Sequence, residues 1–558
     1  MGDRPEMRSL FTRTRVASVI VLTVAGIAAG GCGNSARNAA ASNCSGKHAA
    51  AAEATGAAGW WTLPGGNLQN TRDVASSITT SNVSTLGVAW CVPIESTGLP
   101  HSAGITDGYS TTPVIVNGVL YTQDMESNVM AIKLATGKVL WTHNYSSPNG
   151  GPDGVNVANG VVYAATDHAA IALSAATGKQ LWSRTLIGNN REGIDMAPGY
   201  NHGTVYVSTV PVNPTVGEYM GGAKGILWAL NARTGEPEWS WDEVQNLWGN
   251  AAINSGGGLW DPPSFDAQGN LYIGIANPGP IGESGWAGYP WASSRPGPDL
   301  YTDSIVKLSP TGKLLWYYQL TPHDLYDWDL QNSPMLSTAN GQPVVIDGGK
   351  AGILIELNAQ TGKLLWKLPV GVHTGHDNDG LLTENATATS RVQLPSKFTL
   401  EPGAFGGVET QLATNGSTVF AAVNNSPIQM TSKGLGEGGQ AFEASIAKAT
   451  GEMVAVNQDT GKVIWDDKLP SSPYGAATVT NSVVFTTTYS GYLYAFNAAT
   501  GAILLKTPLS SGSNAPVAVD GDYVLVGAGV QIPKSNHQLI IAYKLGGTGK
   551  LPDTVGHN

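Results

Sequence analysis

Downstream of residue 86 the chain alternates apolar and polar residues in short runs, and one pattern recurs. It reads MAIKLATGKVLW (130–141), IALSAATGKQLW (171–182), WALNARTGEPEW (228–239), VKLSPTGKLLW (306–316), IELNAQTGKLLW (355–366), VAVNQDTGKVIW (454–465) and YAFNAATGAILL (494–505). Each copy is a period-two run, a Thr-Gly turn and a second short run ending in Trp or Leu. Period two predicts strands, and the Gly supplies the positive φ that the turn requires. Most copies follow another alternating run, such as GVLYTQ, GVVYAAT, GTVYVSTV or SVVFTTT. The unit is therefore four-stranded, about 40 residues long and extended in places by insertions.

Repeats at this spacing build propellers or solenoids. LGVAW (86–90) is an eighth outer-strand ending, but it stands at the start of the array. There it can complete the last blade and close the ring, which removes the open sheet edges. The expectation is an all-β protein, an eight-bladed β-propeller with four-stranded antiparallel blades over 59–546 and a C-terminal tail at 547–558. Insertions at 240–300 and 367–450 interrupt the rhythm, and propellers carry function on such loops. Helical periodicity is scarce, and no P-loop, Rossmann fingerprint or nucleophile elbow stands in strand–helix context.

The ends of the chain read differently. Arg4, Arg8, Arg13 and Arg15 precede the apolar run VASVIVLTVAGIAA, the pattern of an export signal over 1–32. The run stops at AGGC, which resembles the lipobox of bacterial lipoproteins with Ala29 in place of the usual Leu. That resemblance implies a lipid anchor at Cys32 and no other membrane contact. Residues 33–58, rich in Ala, Ser, Asn and Gly, predict a flexible tether. The net charge of −11 argues against nucleic acid or an anionic membrane surface as partner. Cys44 and Cys91 remain, and an oxidising compartment permits them to pair. No Cys-x-x-Cys-His is present for covalent haem.

Only 13% of the chain is charged, yet TPHDLYDWD (321–329) holds three Asp and a His directly after a strand. Alone, such carboxylates are turn residues. The blade repeat, however, resembles the docking motif of the pyrroloquinoline quinone (PQQ) alcohol dehydrogenases, and the likeness runs from about Trp60 to Leu545. GGGLWDPPSFDAQGNLYIGIANP resembles the family's Gly-Gly-x-x-Trp-Asp stretch, which implies Trp260 as the floor under the quinone and Asn277 as a metal ligand. TPHDLYDWD matches the family's Thr-Pro-His/Gly-Asp-x-Trp-Asp, implying Asp327 as general base and metal ligand. Asp329 then stands where lanthanide-using members carry an extra carboxylate. GGKAGILIELN implies that Lys350 contacts a quinone carbonyl, FAAVNN implies Asn425 and PYGAATVT implies Tyr474 and Gly475 as cofactor contacts. GEYMGGAKG implies Glu218 as the carboxylate ligand. His323 reads as structural, and HTGHDNDG (373–380) as a surface segment or lid.

The chain also departs from the family. The vicinal Cys pair and the Asn-Arg-Gly of the second blade are missing, Ser110 replaces a Glu, and Gly258 replaces a Thr. PQQ is strongly anionic, so loss of the Arg removes a charge-assisted contact. The reading is an exported quinoprotein dehydrogenase that oxidises an alcohol or related hydroxyl compound with PQQ and Ca²⁺ or a lanthanide, and passes electrons to a separate acceptor such as a cytochrome. The alternative is a cofactor-free propeller lipoprotein that binds other proteins in the envelope. The two differ in whether the implied side chains meet at one mouth of the channel.

Overall fold

The structure, a computed structural model, describes residues 61–94, 109–188, 191–213, 221–246, 254–279, 298–379, 394–431, 449–530 and 538–555, with Cys44 and short pieces at 217–218, 434–435, 446 and 448. The chain divides into two units, Met1–Ala39 and Ala40–Asn558, and only the second contains described residues. The leader with Cys32 lies outside them, as does the 33–58 tether apart from Cys44.

Eight four-stranded antiparallel sheets follow one another as the blades of a ring. In chain order they occupy 114–143, 156–185, 199–242, 264–319, 335–369, 413–469 and 478–508, and the eighth combines 518–545 with Leu86–Pro93. Leu86–Pro93 pairs antiparallel with Leu539–Leu545, from Leu86 opposite Leu545 to Pro93 opposite Leu539. The first strand thus closes the last blade, as LGVAW predicts. Residues 547–555 do not trail away: Gly549 N donates to Val88 O, and Val555 N to Leu509 O. Cys44 and Cys91 are joined in a disulfide, with Cα atoms 6.0 Å apart.

The Thr-Gly…Trp repeat does its work between blades. Seven turn glycines (137, 178, 235, 312, 362, 461 and 501) have φ between 65° and 76°. A Cβ on any of them would lie 2.5–3.0 Å from the indole of the preceding blade's Trp. Each of these indoles also donates its N–H to a carbonyl of the following blade, at 2.6–3.2 Å. One repeat therefore supplies a turn that only Gly tolerates and a flat surface for its neighbour's Trp. The junction between the seventh and eighth blades has Leu505 in place of Trp. The eighth blade has no such turn to offer, because its outer strand comes from the start of the chain.

Inner strands such as Leu271–Ile275 and Ser304–Leu308 are buried throughout, since blades cover both their faces, whereas the outer strand Lys138–His143 alternates. The segment 61–74 runs along the innermost strands. Leu68, Gln69, Thr71 and Arg72 accept through their carbonyls from the N–H groups of Phe265, Leu336, Thr414 and Val479, in four successive blades. This covers edges that would otherwise be left unpaired inside the ring. Arg72 is buried and donates to the carbonyls of Pro64, Ala477 and Val517 and to Thr478 Oγ1. Burial, opposed by Asp261, lowers its pKa to about 9.

Candidate active site

The implied residues stand on one kind of connection. Asn277 follows the second strand of its blade, and Lys350 lies between the second and third strands of the next. Asp327 and Asp329 occupy the link from Leu314–Gln319 to Met335–Ala339, where one blade hands over to another. In an antiparallel blade, the turn after the second strand and the exit from the fourth lie at the same end. The fold therefore gathers these loops at one mouth of the ring.

The contacts agree. Lys350 Nζ lies 2.5 Å from Asp329 Oδ2 and 3.4 Å from Asp327 Oδ2. Lys350 N also donates to Asp329 O, at 2.9 Å. The other oxygen of Asp329, Oδ1, accepts from Asn277 N at 2.6 Å. Gly349 permits this approach, since a Cβ there would be 2.2 Å from Asp329 O. Within the motif, Asp324 is a turn cap, accepting from Tyr326 N and Trp328 N at 2.8 Å each. His323 is buried, 4.0 Å from Asp299.

Asp327 adopts φ 66°, in the left-handed region that few residues other than Gly enter. Burial raises its carboxyl well above the ordinary range; Lys350 opposes this and Asp329 adds to it. For Lys350, burial alone would lower the ammonium, but Asp327 and Asp329 outweigh it and hold the group well above its usual value.

Trp260 is half-buried and packs on Val210 and Val212. Its backbone neighbours reach the Asn277 loop: Ala276 N donates to Gly258 O and Gly257 N to Asn277 O. Gly258, which replaces a Thr of the family, has φ 117°, and a Cβ there would sit 2.8 Å from Val210. Tyr474 is buried and donates to Phe405 O at 2.8 Å, while Lys350 Nζ sits 5.8 Å from the Phe405 ring. Gly475 packs against Thr487, whose Oγ1 would lie 2.0 Å from an added Cβ. Asn425 spends its amide on protein partners, accepting from Val372 N at 3.0 Å and donating to Glu452 at 2.9 Å. Glu218 pairs through its backbone with Val212, and its side chain lies outside the described residues. The structure thus joins Asn277, Asp327, Asp329 and Lys350 by direct contact, ties the segment before Trp260 to the Asn277 loop through the backbone of Gly257 and Gly258, and leaves Asn425 and Tyr474 bonded to protein partners.

The donor set suits a hard metal ion. Asn277 Oδ1 and Asp327 Oδ1 are buried without a hydrogen-bond partner, a costly state for polar oxygens that a cation would relieve. Among the described residues no three carboxylate, imidazole or thiol groups already form a metal cage, and the Lys350 ammonium sits between Asp327 and Asp329. A planar quinone would find in Trp260 an aromatic face of its own kind.

Two buried carboxylates, Glu243 and Asp303, and the half-buried Glu409 carry no sequence signal of their own. Glu243 accepts from Ser208 Oγ and Gly258 N, at 2.5 Å each, and supports the backbone beneath Trp260. Burial pushes it up to about 8, despite those two hydrogen bonds. Glu409 is pushed to about 8 by burial, against Lys350 and with Asp329. Asp303 lies beside Ala276. The HTGHDNDG stretch binds itself and the motif: His376 pairs with Asp379 at 2.8 Å, and Tyr326 donates to Asp379.

The family model described as glucose/ethanol/alcohol dehydrogenase, β-propeller domain, matches residues 61–167 and 201–372, half of the chain. The chain belongs to the PQQ-dependent alcohol dehydrogenase family. A model described as outer membrane protein assembly factor BamB matches 125–258 and 449–543. Among curated relatives of the family, the quinohemoprotein alcohol dehydrogenase of Comamonas testosteroni is 29% identical over 81% of this chain and 70% of its own length. The quinohemoprotein alcohol dehydrogenase ADHIIG of Pseudomonas putida HK5 shares the fold, with a TM-score of 0.72 at 22% identity over 89% of this chain and 81% of that one. A europium-containing methanol dehydrogenase shares it with a TM-score of 0.66 at 18% identity, over 87% of this chain and 98% of that one.

Proposed function

We propose that this chain is an exported quinoprotein dehydrogenase that oxidises the hydroxyl of an alcohol or related compound, with PQQ and a Ca²⁺ or lanthanide ion. The observation that carries this reading is Asp327, a buried carboxylate with one oxygen near Lys350 and the other without a partner. Asp327 Oδ1 takes the substrate's hydroxyl proton as general base. Lys350 favours the ionised form of Asp327 against the effect of burial. Asn277, Asp327, Asp329 and Glu218 would hold the ion, and Trp260 would carry the quinone on its indole face. When bound, PQQ supplies the acceptor for the hydride that leaves the substrate carbon, and the ion supplies Lewis acidity. The propeller excludes water from Asp327 and orients the groups around it.

The relatives named quinohemoproteins carry haem in their names, whereas this chain has no Cys-x-x-Cys-His. A separate acceptor such as a cytochrome would take the electrons. The Cys44–Cys91 disulfide supports an oxidising location, with anchorage through Cys32. The BamB match favours a second reading, a cofactor-free scaffold, but it rests on the blade repeat and gives no reason for buried carboxylates at one mouth. Dye-linked turnover of a panel of alcohols by the full chain, supplied with PQQ and Ca²⁺ or La³⁺, tests the proposal. Asp327→Asn is expected to lower kcat by about 10²–10⁴-fold. Turnover unchanged in that variant would remove Asp327 from the chemistry.

A further inference from the structure

The third blade carries a Trp that its joint does not use. Trp239 is the docking Trp of this blade, and its indole donates to Pro310 O of the next blade at 3.1 Å. Trp241 stands two residues further along the outer strand Pro237–Asp242, where no other blade has a Trp. Its side chain is half-buried and stacks on Tyr301, with ring centroids 5.4 Å apart and planes inclined by 30°. Tyr301 lies in the long connection that leads into Ser304–Leu308 of the fourth blade. Gln245 Nε2 donates to its hydroxyl at 2.6 Å, and Tyr317, 42% exposed on the neighbouring outer strand, meets it edge-on at 4.9 Å. Tyr301 N also donates to Glu243 O at 2.9 Å, and Gln245 N to Leu300 O at 2.8 Å. Backbone and side chains together therefore fix the two stacked rings.

Among the described residues, these groups line an open groove of about 530 Å³. Its size falls within the range of small-ligand sites. Trp241, Tyr301 and Leu314 form an apolar wall, and Asp242, Gln245 and Asn246 a polar edge. Asp242 is paired with Lys224 at 2.7 Å, which leaves the edge polar with little net charge. The groove lies where the outer strand leaves its blade, at the end where Asn277 and Asp327 stand, but neither of those residues lines it.

An occupant has to set an apolar face on the rings and neutral polar groups on the edge. A purely apolar ligand would strip water from Asp242, Gln245 and Asn246 without replacing its hydrogen bonds. A sugar ring offers both parts: its C–H face suits the negative face of an aromatic ring, and its hydroxyls donate to and accept from amides and carboxylates. We propose that this groove binds a neutral carbohydrate chain, with Trp241 as its platform. The inference goes beyond the quinone reading and stands without it.

The test is calorimetric titration of the full chain with three neutral hexasaccharides, cellohexaose, maltohexaose and mannohexaose, and with decaproline as a neutral peptide. At least one hexasaccharide is expected to bind, and decaproline is not. Trp241→Ala is expected to weaken saccharide binding by about tenfold or more, the loss of one stacked ring with its buried area, and Trp241→Tyr to recover part of it. A Trp241 that only fills space would change Tm and leave the saccharide affinity as it is. Asn246→Ala, at the exposed edge, should weaken binding by about threefold or more and serves if Trp241→Ala does not fold. Asp327→Asn should bind the saccharide as wild type does. Folded wild-type chain that binds none of the three hexasaccharides, or an affinity that Trp241→Ala leaves unchanged, would overturn the proposal. Loss of binding in Asp327→Asn alone would overturn it too, by moving the saccharide to the mouth, and binding of decaproline alone would make the groove a peptide site instead.

Discussion

At the scale of single residues, the site is a collection of carboxylates displaced from their ordinary behaviour by burial. Glu243 shows the consequence most simply, because it lies outside the implied metal ligands. Its folded-state carboxyl is raised from 4.5 to about 8. The folded protein therefore keeps a proton that the unfolded chain releases. The stability contributed by protonated Glu243 is complete below about pH 4.5 and is lost as pH rises through about 8. Metal-free protein should accordingly unfold at lower denaturant at pH 8 than at pH 5. Glu243→Gln should reduce that difference, and denaturant titrations at the two pH values measure it. An unchanged pH dependence in the variant would mean that Glu243 does not titrate in this way. The residues that carry the site differ in how plainly the sequence displays them. Asp327 and Asp329 stand in a dense local motif, and Asn277, Trp260 and Lys350 in strand contexts that resemble a known family. Glu243, Glu409 and Asp303 are single acidic residues without local pattern. Pairing within a blade and the links between adjacent blades bring them near Ala276, Trp260 and Lys350.

At the scale of elements, the Thr-Gly turn and the following Trp are two halves of one joint. Gly362 has φ 69°, and its missing Cβ makes room for the Trp316 ring at 2.7 Å. Gly341 has a similar φ of 74° but nothing within 4 Å. Both Gly→Ala changes meet the backbone cost of a left-handed residue, about 1 kcal/mol. Only Gly362→Ala also pushes the indole away, so it should destabilise by about 1–3 kcal/mol more. Urea unfolding of the two variants gives the difference directly, and equal losses would mean that Trp316 is not held by this turn. This joint is legible in the sequence because it is local and repeated. The same locality explains why Leu505 marks the closure: the pattern changes at the junction whose neighbouring blade is assembled from both ends of the chain. The innermost layer was less open to reading. WWTLPGGNLQNTR shows no strand periodicity, and its pairing with four blades is a property of the closed ring.

At the scale of the whole molecule, eight blades bring their second-strand turns and blade-to-blade links to one mouth, and the segment 61–74 lines the channel within. A propeller built only to bind proteins needs the blades and their joints. It has no need of a buried Lys between two Asp with an orphan Asn oxygen on the neighbouring loop. We propose that this mouth holds a quinone and an ion. Equilibrium dialysis of the full chain against PQQ, with Ca²⁺, with La³⁺ or with neither, tests it most directly, with the retained quinone read by absorbance and folding checked by circular dichroism. About one PQQ per chain should be retained when an ion is present, and much less without one. Folded protein that retains no PQQ with either ion would contradict it, and would assign the propeller to protein binding.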